Sequence, residues 1–206
     1  KYRFDDFGTS AVTLDLQEGG TYTFDQSDSS NSGHPLRFYT ASDKSGGEYT
    51  TGVTTSGTPG SSGAKTVITV SASAPTLYYQ CSNHAGMGGQ ANTNSTFGSS
   101  NFSGSIQSTV SAGITQGMSI VTYTGTGSST SIGHGLGVKP DWIISKIRST
   151  SGDWNVYHDS FSAQERIKLN STGAKNTNTS IYASLPTSSV VNIGNGGNIN
   201  TSGNSH

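Results

Sequence analysis

The chain is short of charge, of cysteine and of long apolar runs, and each shortage excludes a class of protein. Only 11% of its 206 residues are charged and the formal net charge is −1, whereas contact with nucleic-acid phosphates needs a basic surface. No polybasic stretch indicates a membrane surface, and no apolar run approaches the roughly 20 residues that span a bilayer. The single cysteine excludes an internal disulfide. We therefore expect no nucleic-acid partner and no membrane insertion.

The two ends of the chain also lack features that a complete secreted protein would show. The first residues, KYRFDDFGTS, do not begin with Met and lack the apolar core of a signal peptide. The last residues, GNGGNINTSGNSH, are turn-like and stop without a closing strand. We expect a processed product or a piece of a longer polypeptide.

What the sequence does have is many short alternating runs of β-branched and aromatic residues, separated by clusters rich in Gly, Ser, Thr and Asn. Such runs predict strands, and the longest helix candidate, SAQERIKLN, lacks a sustained period of 3.6 residues. The predicted strands are AVTLDL, GTYTFDQ, HPLRFYT, AKTVITV, TLYYQC, MSIVTYTG, DWIISKIRS, DWNVYHD, RIKLN and SSVVNIG. The pattern predicts an all-β fold made of two β-sandwich domains.

The predicted domains are residues 1–93 and residues 113–206, the second of them truncated. Between them, residues 94–112 are polar and are interpreted as a linker. A free linker rarely carries many apolar side chains, so we expect this one to pack against a neighbouring domain or subunit. The apolar residues concerned are Phe97, Phe102, Ile106 and Val110.

One loop concentrates three potential metal ligands. Cys81 ends the predicted strand TLYYQC, and His84 and Met87 follow it at intervals of three residues. Two imidazoles and a thiolate near one plane, with a distant thioether, form the copper site of blue-copper proteins. The second imidazole must come from elsewhere in the chain, and His34, at the start of HPLRFYT, is the candidate.

The first block resembles a cupredoxin domain, which is a Greek-key β-sandwich. AVTLDLQEGGTYTFDQSDSSNSGHPLRF is similar to the early strands of that family, and LYYQCSNHAGMGG to its last ligand loop, with a short spacing of the amicyanin type. The resemblance implies copper bound by His34, Cys81, His84 and Met87. The family usually places Asn after the first histidine, where it braces the cysteine loop. Pro35 stands there instead, which leaves the redox behaviour open because surrounding groups tune a metal site.

Two other interpretations of the same residues stay open. The site can hold zinc, or the domain can be a cupredoxin-like scaffold with no metal, in which Cys81 is a small buried residue. No further cofactor is implied.

The second block resembles a module of marine phage tail and virion proteins. The matching stretches are GMSIVTYTGTGSSTSIGHGLGVKPDWIISKIRSTSGDWNVYHDSF, LNSTGA and PTSSVVNIGNGGNINTSG, which together cover roughly residues 102–206. Cupredoxin-like segments with CSNH-x-GMGG also occur in such phage proteins. The combination implies a virion structural protein with an N-terminal cupredoxin-like domain.

Four residues of the second block are candidates for a binding surface: Trp142, Trp154, Tyr157 and His158. The tryptophans can stack on sugars or anchor a partner, although an alternating strand more often places Trp in the core. In DWNVYHD, Trp154, Val156 and His158 share one face of the strand. His134, in the turn GHGLG, is interpreted as a structural residue and not as a ligand.

The leading hypothesis is a non-enzymatic virion structural protein, a tail fibre or a head or tail appendage with host-surface adhesion. Its partners would be other virion subunits in a homo-oligomer and a host glycan or protein, at the virion or outside the cell. One alternative is an extracellular or periplasmic blue-copper electron-transfer protein. Another is a bacterial surface adhesin or filament subunit. Catalysis is not expected, because no Ser-His-Asp constellation or hydrolytic metal site is visible.

Overall fold

The structure is a computed structural model that describes residues 1–5, 7–95 and 97–206. It divides into two compact units, residues Lys1–Ser99 and Ser100–His206. The all-β prediction is confirmed, because strands dominate both units. Helix within the described residues is limited to a 3-10 turn, Ser29–Asn31, and one α-helical turn, α1, Gly197–Asn200. Neither is long and apolar enough to cross a membrane.

The strands of the first unit are β1 Leu14–Gln17, β2 Thr21–Asp25, β3 Leu36–Tyr39, β4 Val53–Ser56, β5 Lys65–Thr69, β6 Leu77–Cys81 and β7 Gly89–Ser95. In the described part of this unit they form two sheets. One has the strand order β1-β7-β6-β3, in which β1 runs parallel to β7 and the other neighbours are antiparallel. The other is antiparallel with the order β2-β5-β4.

Aromatic and aliphatic side chains of this unit pack between strands of the two sheets. Phe24 of β2 meets Phe38 of β3 edge to face, with ring centroids 5.5 Å apart. On β6, the alternate residues Leu77, Tyr79 and Cys81 are all fully buried, as the two-residue period of a strand requires for one face. The last of these, Cys81, therefore enters the core at the end of its strand.

Strand register brings the two segments with candidate metal ligands together. Leu36 of β3 lies opposite Cys81 of β6. His34, two residues before Leu36, is therefore held beside the loop that follows Cys81. The hydrogen bond from the Ser82 amide to the Pro35 carbonyl, 3.0 Å, extends this pairing by one step.

The remaining strands are β8 Ser99–Asn101, β9 Ser108–Gly113, β10 Met118–Tyr123, β11 Thr130–Gly133, β12 Trp142–Ser145, β13 Asn155–His158, β14 Glu165–Lys168, β15 Asn176–Thr177 and β16 Val190–Ile193. They form three small sheets, with orders β10-β9-β8, β11-β16 and β12-β13-β14-β15, all antiparallel where the register is defined. The first of these begins at the boundary between the units.

Residues 94–112, the predicted linker, carry regular structure. The segment contains β8 and most of β9, and the boundary between the two units falls inside it. Val110 explains why β9 forms: it is 9% exposed, and Ser108 on the same side of the strand is also buried. The apolar residues that made a free linker improbable are thus partly accounted for by strand packing.

One apolar cluster forms the core of the second unit. Tyr157 of β13 lies within it and meets Tyr182 edge to face, with ring centroids 5.8 Å apart. Ile143 of β12 packs against the cluster from the side. The buried members are Ile132, Tyr157, Ile181, Tyr182, Val191, Ile193 and Ile199.

His134 is a structural residue that the fold holds in its neutral form. It is 4% exposed, its Nδ1 accepts the Leu136 amide proton at 3.3 Å, and its Nε2 lies 3.3 Å from the Thr187 carbonyl, to which it donates. One acceptor and one donor are what a neutral imidazole offers. Burial lowers the pKa of His134 below its ordinary value.

We expect this residue to make the second unit less stable in weak acid. Because the folded pKa lies below the unfolded value of 6.5, the unfolded chain takes up the proton first. The contribution of neutral His134 to the free energy of unfolding is therefore fully present above pH 6.5. It is lost as the pH falls through the folded pKa. Burial lowers the pKa of His206 too, so that residue acts in the same direction.

Urea unfolding between pH 7 and pH 5 measures the slope, and His134→Gln, whose amide offers the same acceptor and donor, should flatten it. An equal slope in His134→Gln and the parent protein would contradict the assignment.

Candidate metal centre

Three side chains, two from loops and one from the end of β6, converge in the first unit. The Nδ1 atoms of His34 and His84 are 3.1 Å apart, and the Cys81 Sγ lies 3.8 Å from the first and 3.5 Å from the second. Cys81 is buried, His34 is half-buried and His84 is exposed. The group can hold a metal ion, as the sequence predicts for these three residues.

The spacing of the donor atoms fits a single ion. An ion about 2.0–2.1 Å from each nitrogen and about 2.3 Å from the sulfur would see these donors at angles of roughly 100° to 120°, which bracket the tetrahedral value. Such angles leave room for a fourth ligand. Both histidines present Nδ1, so each ring must carry its proton on Nε2 when an ion is bound. Metal binding would release protons, because a thiolate and neutral imidazoles are the forms that bind the ion.

Met87, the predicted fourth ligand, lies in the same loop and is partly buried. Its backbone carbonyl accepts a hydrogen bond of 2.8 Å from the amide of Tyr2. This bond fixes the main chain at Met87 relative to the start of the unit. The role of the thioether as a fourth ligand stays a prediction.

Asn83 braces the two ligand loops against each other. Its Nδ2 donates to the carbonyl of Gly33 over 2.9 Å, so the residue before one histidine is tied to the residue before the other. The Ser82 amide donates to the carbonyl of Pro35. Pro35 can donate no hydrogen bond to the cysteine loop. The two loops are instead held together by donors of the cysteine loop, Ser82 and Asn83. The sequence signal was the Asn83 amide between two ligands.

Two side chains from outside the loops hold the backbone of His34. The Tyr2 hydroxyl donates to the His34 carbonyl over 2.7 Å, and the Gln26 Nε2 donates to the same oxygen over 2.9 Å. Burial, reinforced by the neighbouring Cys81, raises the pKa of Tyr2, which therefore keeps its proton and remains a donor. Neither residue carries a motif that singles it out in the sequence.

Lys44 holds the other loop. Its Nζ donates to the carbonyls of Cys81 and Ser82, over 3.2 and 3.1 Å. The ammonium group also lies 5.9 Å from the centre of the Tyr39 ring. Lys44 thereby ties the end of β6 to the start of the loop that carries His84.

Glycine is required where the loop returns to the sheet. A Cβ at Gly88 would lie 1.5 Å from the carbonyl oxygen of Tyr79, and one at Gly89 would lie 2.5 Å from the carbonyl oxygen of Ala11. The Gly88 amide donates to Oε1 of the buried Gln80 over 3.0 Å. Both positions after Met87 therefore require glycine, because neighbouring backbone atoms leave no room for a Cβ.

The candidate binding residues of the second block fall into two environments. Trp142, Trp154 and His158 are exposed, so the interpretation of the two tryptophans as core residues is wrong. Tyr157 is 1% exposed and belongs to the core cluster, which keeps its side chain from the surface. Binding at the three exposed residues stays a prediction.

Comparison with curated proteins and with solved structures gives no match. A family of proteins matches residues 82–206, which is more than half of the chain and includes His84 and Met87. The chain therefore belongs to the family described as "Domain of unknown function (DUF7483)".

Proposed function

We propose that the protein is a non-enzymatic structural component of a phage particle, a tail fibre or a head or tail appendage at the virion surface. In this proposal the first unit is a cupredoxin-like Greek-key β-sandwich closed at one end by copper. The second unit is a virion-type β-sandwich module that contacts other subunits and the host surface. The resemblances of the two blocks to phage proteins support this combination.

The observation that carries the proposal is the distribution of exposed apolar side chains. Within the described part of the first unit, Phe97 is the large apolar residue that reaches the surface. In the second unit many do, and exposed apolar surface on a soluble domain marks interaction sites. They are Ile114, Met118, Ile120, Val138, Trp142, Ile144, Trp154, Leu169 and Leu185.

The charge pattern also favours assembly from identical copies. No Asp, Glu, Lys or Arg occurs between Lys65 and Lys139. The exposed Ile114, Met118 and Ile120 lie inside this stretch, on or beside β10. Surfaces without charge do not repel one another, so contacts between copies in a homo-oligomer meet no electrostatic barrier.

A copper ion fits the first unit because of the donor set. Two imidazole nitrogens and one thiolate, with a thioether in the same loop, match the ligands of blue-copper sites. When bound, the ion would join two loops that are now held by hydrogen bonds, and so stabilise the folded unit by mass action. Its role in the proposal is structural.

A blue-copper electron carrier is the second candidate. The exposed imidazole of His84 favours it, since a ligand at the surface offers a short path for an electron. Asn83, Ala85 and Gly86 around it are also exposed and form no apolar docking surface, which favours the structural role.

Purified particles test the proposal. Mass spectrometry should find the protein in virions at a fixed copy number, and light scattering of the isolated chain should give an oligomer. A monomer that is absent from purified particles would contradict the proposal. Recovery from a bacterial surface or filament would instead support the adhesin alternative.

A further inference from the structure

The outer face of the β12–β13–β14 sheet carries both tryptophans of the chain. On β12, Ile143 packs against the core, whereas Trp142 and Ile144 point the other way and are 61% and 46% exposed. On the neighbouring strand His158 lies opposite Trp142, and Val156 lies opposite Ile144. Residues opposite each other in an antiparallel pair share a face.

The same face continues to β14. The Leu169 amide donates to the Trp154 carbonyl over 3.1 Å, and these two side chains line a shallow groove with Asn170. Trp154 is 46% exposed and Leu169 53%. Trp154 precedes His158 by four residues, so the backbone positions of the two tryptophans are about 13 Å apart along the strand direction.

We propose that this tryptophan face, formed by Trp142, Ile144, Trp154, His158, Leu169 and Asn170, binds an extended, uncharged glycan. The inference rests on the proposed function, because it gives the second unit a ligand class for contact with the host surface. The argument depends on what stands beside each indole and on the charges at the edge of the face.

A side chain that can form a hydrogen bond with a sugar hydroxyl lies beside each indole. The face of an aromatic ring is electronegative and attracts the C–H groups of a sugar ring. His158 lies beside Trp142, and its Nδ1 accepts the Ser160 amide proton over 3.1 Å, so the neutral ring carries its proton on Nε2. Asn170 lies beside Trp154 and binds its amide through Oδ1 over 3.1 Å. The second lone pair of that oxygen can accept from a ligand.

The repetition of this pairing favours a glycan over a protein. A stacking surface beside a hydrogen-bonding group occurs twice, with the exposed Ile144 between, whereas Val156 opposite it is buried. A chain of sugar units presents alternating C–H faces and hydroxyls at such intervals. The centre of a protein interface is instead filled by continuous apolar anchors, with polar groups at its rim.

The charges near the face indicate that the glycan is neutral. Lys139 is paired with Asp159, and Lys168 with Asp153. Each of these two lysines is therefore compensated by a neighbouring carboxylate. An anionic ligand would have to displace one of these carboxylates, whereas a neutral ligand leaves both pairs intact.

Tryptophan fluorescence of the intact chain tests the inference directly, because the chain has two tryptophans and both lie on this face. An array of neutral and anionic oligosaccharides supplies the probes. We expect a neutral oligosaccharide to bind, shift the emission to shorter wavelength and protect it from acrylamide. Trp142→Ala and Trp154→Ala should each weaken binding about tenfold.

Phe97→Ala removes an exposed aromatic side chain from the first unit and is the matched control, with affinity unchanged. Both tryptophans are exposed, so their variants should unfold at the parent temperature. Binding of anionic sugars alone, binding that survives both substitutions, or no retained neutral sugar would overturn the inference. A blue shift with protein concentration alone would assign the face to a second copy. The array uses isolated protein, so its outcome is independent of whether the chain is found in particles.

Discussion

Cys81→Ser should abolish the intense blue absorption that we expect when Cu(II) is added to the intact protein. The chain has one cysteine, so no other thiolate can give a sulfur-to-copper transition. The affinity should fall more than about 100-fold, since loss of a group that merely supports a ligand already costs about 10- to 100-fold. Visible spectra and competition with a chelator measure both effects.

Two further variants make this result interpretable. His84 is exposed, so His84→Gln removes a donor without disturbing the core and should lose the absorption as well. Ser82→Ala leaves all three donors in place and should keep it. A chelator should lower the unfolding temperature of the loaded parent protein and leave that of Cys81→Ser unchanged. Retention of the blue band in the absence of Cys81 would rule out the assigned site.

Gly88→Ala should destabilise the first unit by at least about 3 kcal/mol, the range of severe single substitutions. The added Cβ would lie 1.5 Å from the Tyr79 carbonyl oxygen, which belongs to a central strand and cannot move aside. The loop would have to leave the sheet, and the three metal donors would separate. The free energy of unfolding, measured in urea, and the metal affinity should therefore both fall.

Gly86→Ala, in the same loop, separates steric overlap from backbone strain. Gly86 has a φ of +68° and nothing within 4 Å of an added Cβ. Its substitution should cost only the left-handed conformation, about 1–2 kcal/mol, and should spare metal binding. Equal losses in the two variants would show that overlap with Tyr79 is not the cause.

The three metal donors could be predicted from the sequence. Cys81 and His84 share one loop, whereas the distant His34 was indicated by its place at the start of HPLRFYT and by the resemblance to cupredoxins. The groups that hold the donors could not be predicted. Tyr2 and Lys44 act on backbone carbonyls that are 32 and 37 residues away in the chain, and such contacts leave no periodic pattern.

The fold shows the same division. Strands with β-branched and aromatic alternation were predicted within a few residues, as for β5 and β13. Strands such as β4 and β11, VTTS and TSIG, lie among turn residues and form because neighbours pair with them. Alternation also gives two faces to β12 but does not say which is covered. The cluster around Tyr182 packs on one face, and Trp142 is left on the other.

The metal donors come from segments 50 residues apart in the chain, and this spacing has a consequence for the order of folding. Closing so long a loop costs entropy that is regained only when non-local strands pair, and such topologies fold slowly. The β3–β6 register must form before His34 can meet Cys81. An ion can therefore bind tightly only to a first unit whose chain has already closed, which makes metal retention a marker of completed folding.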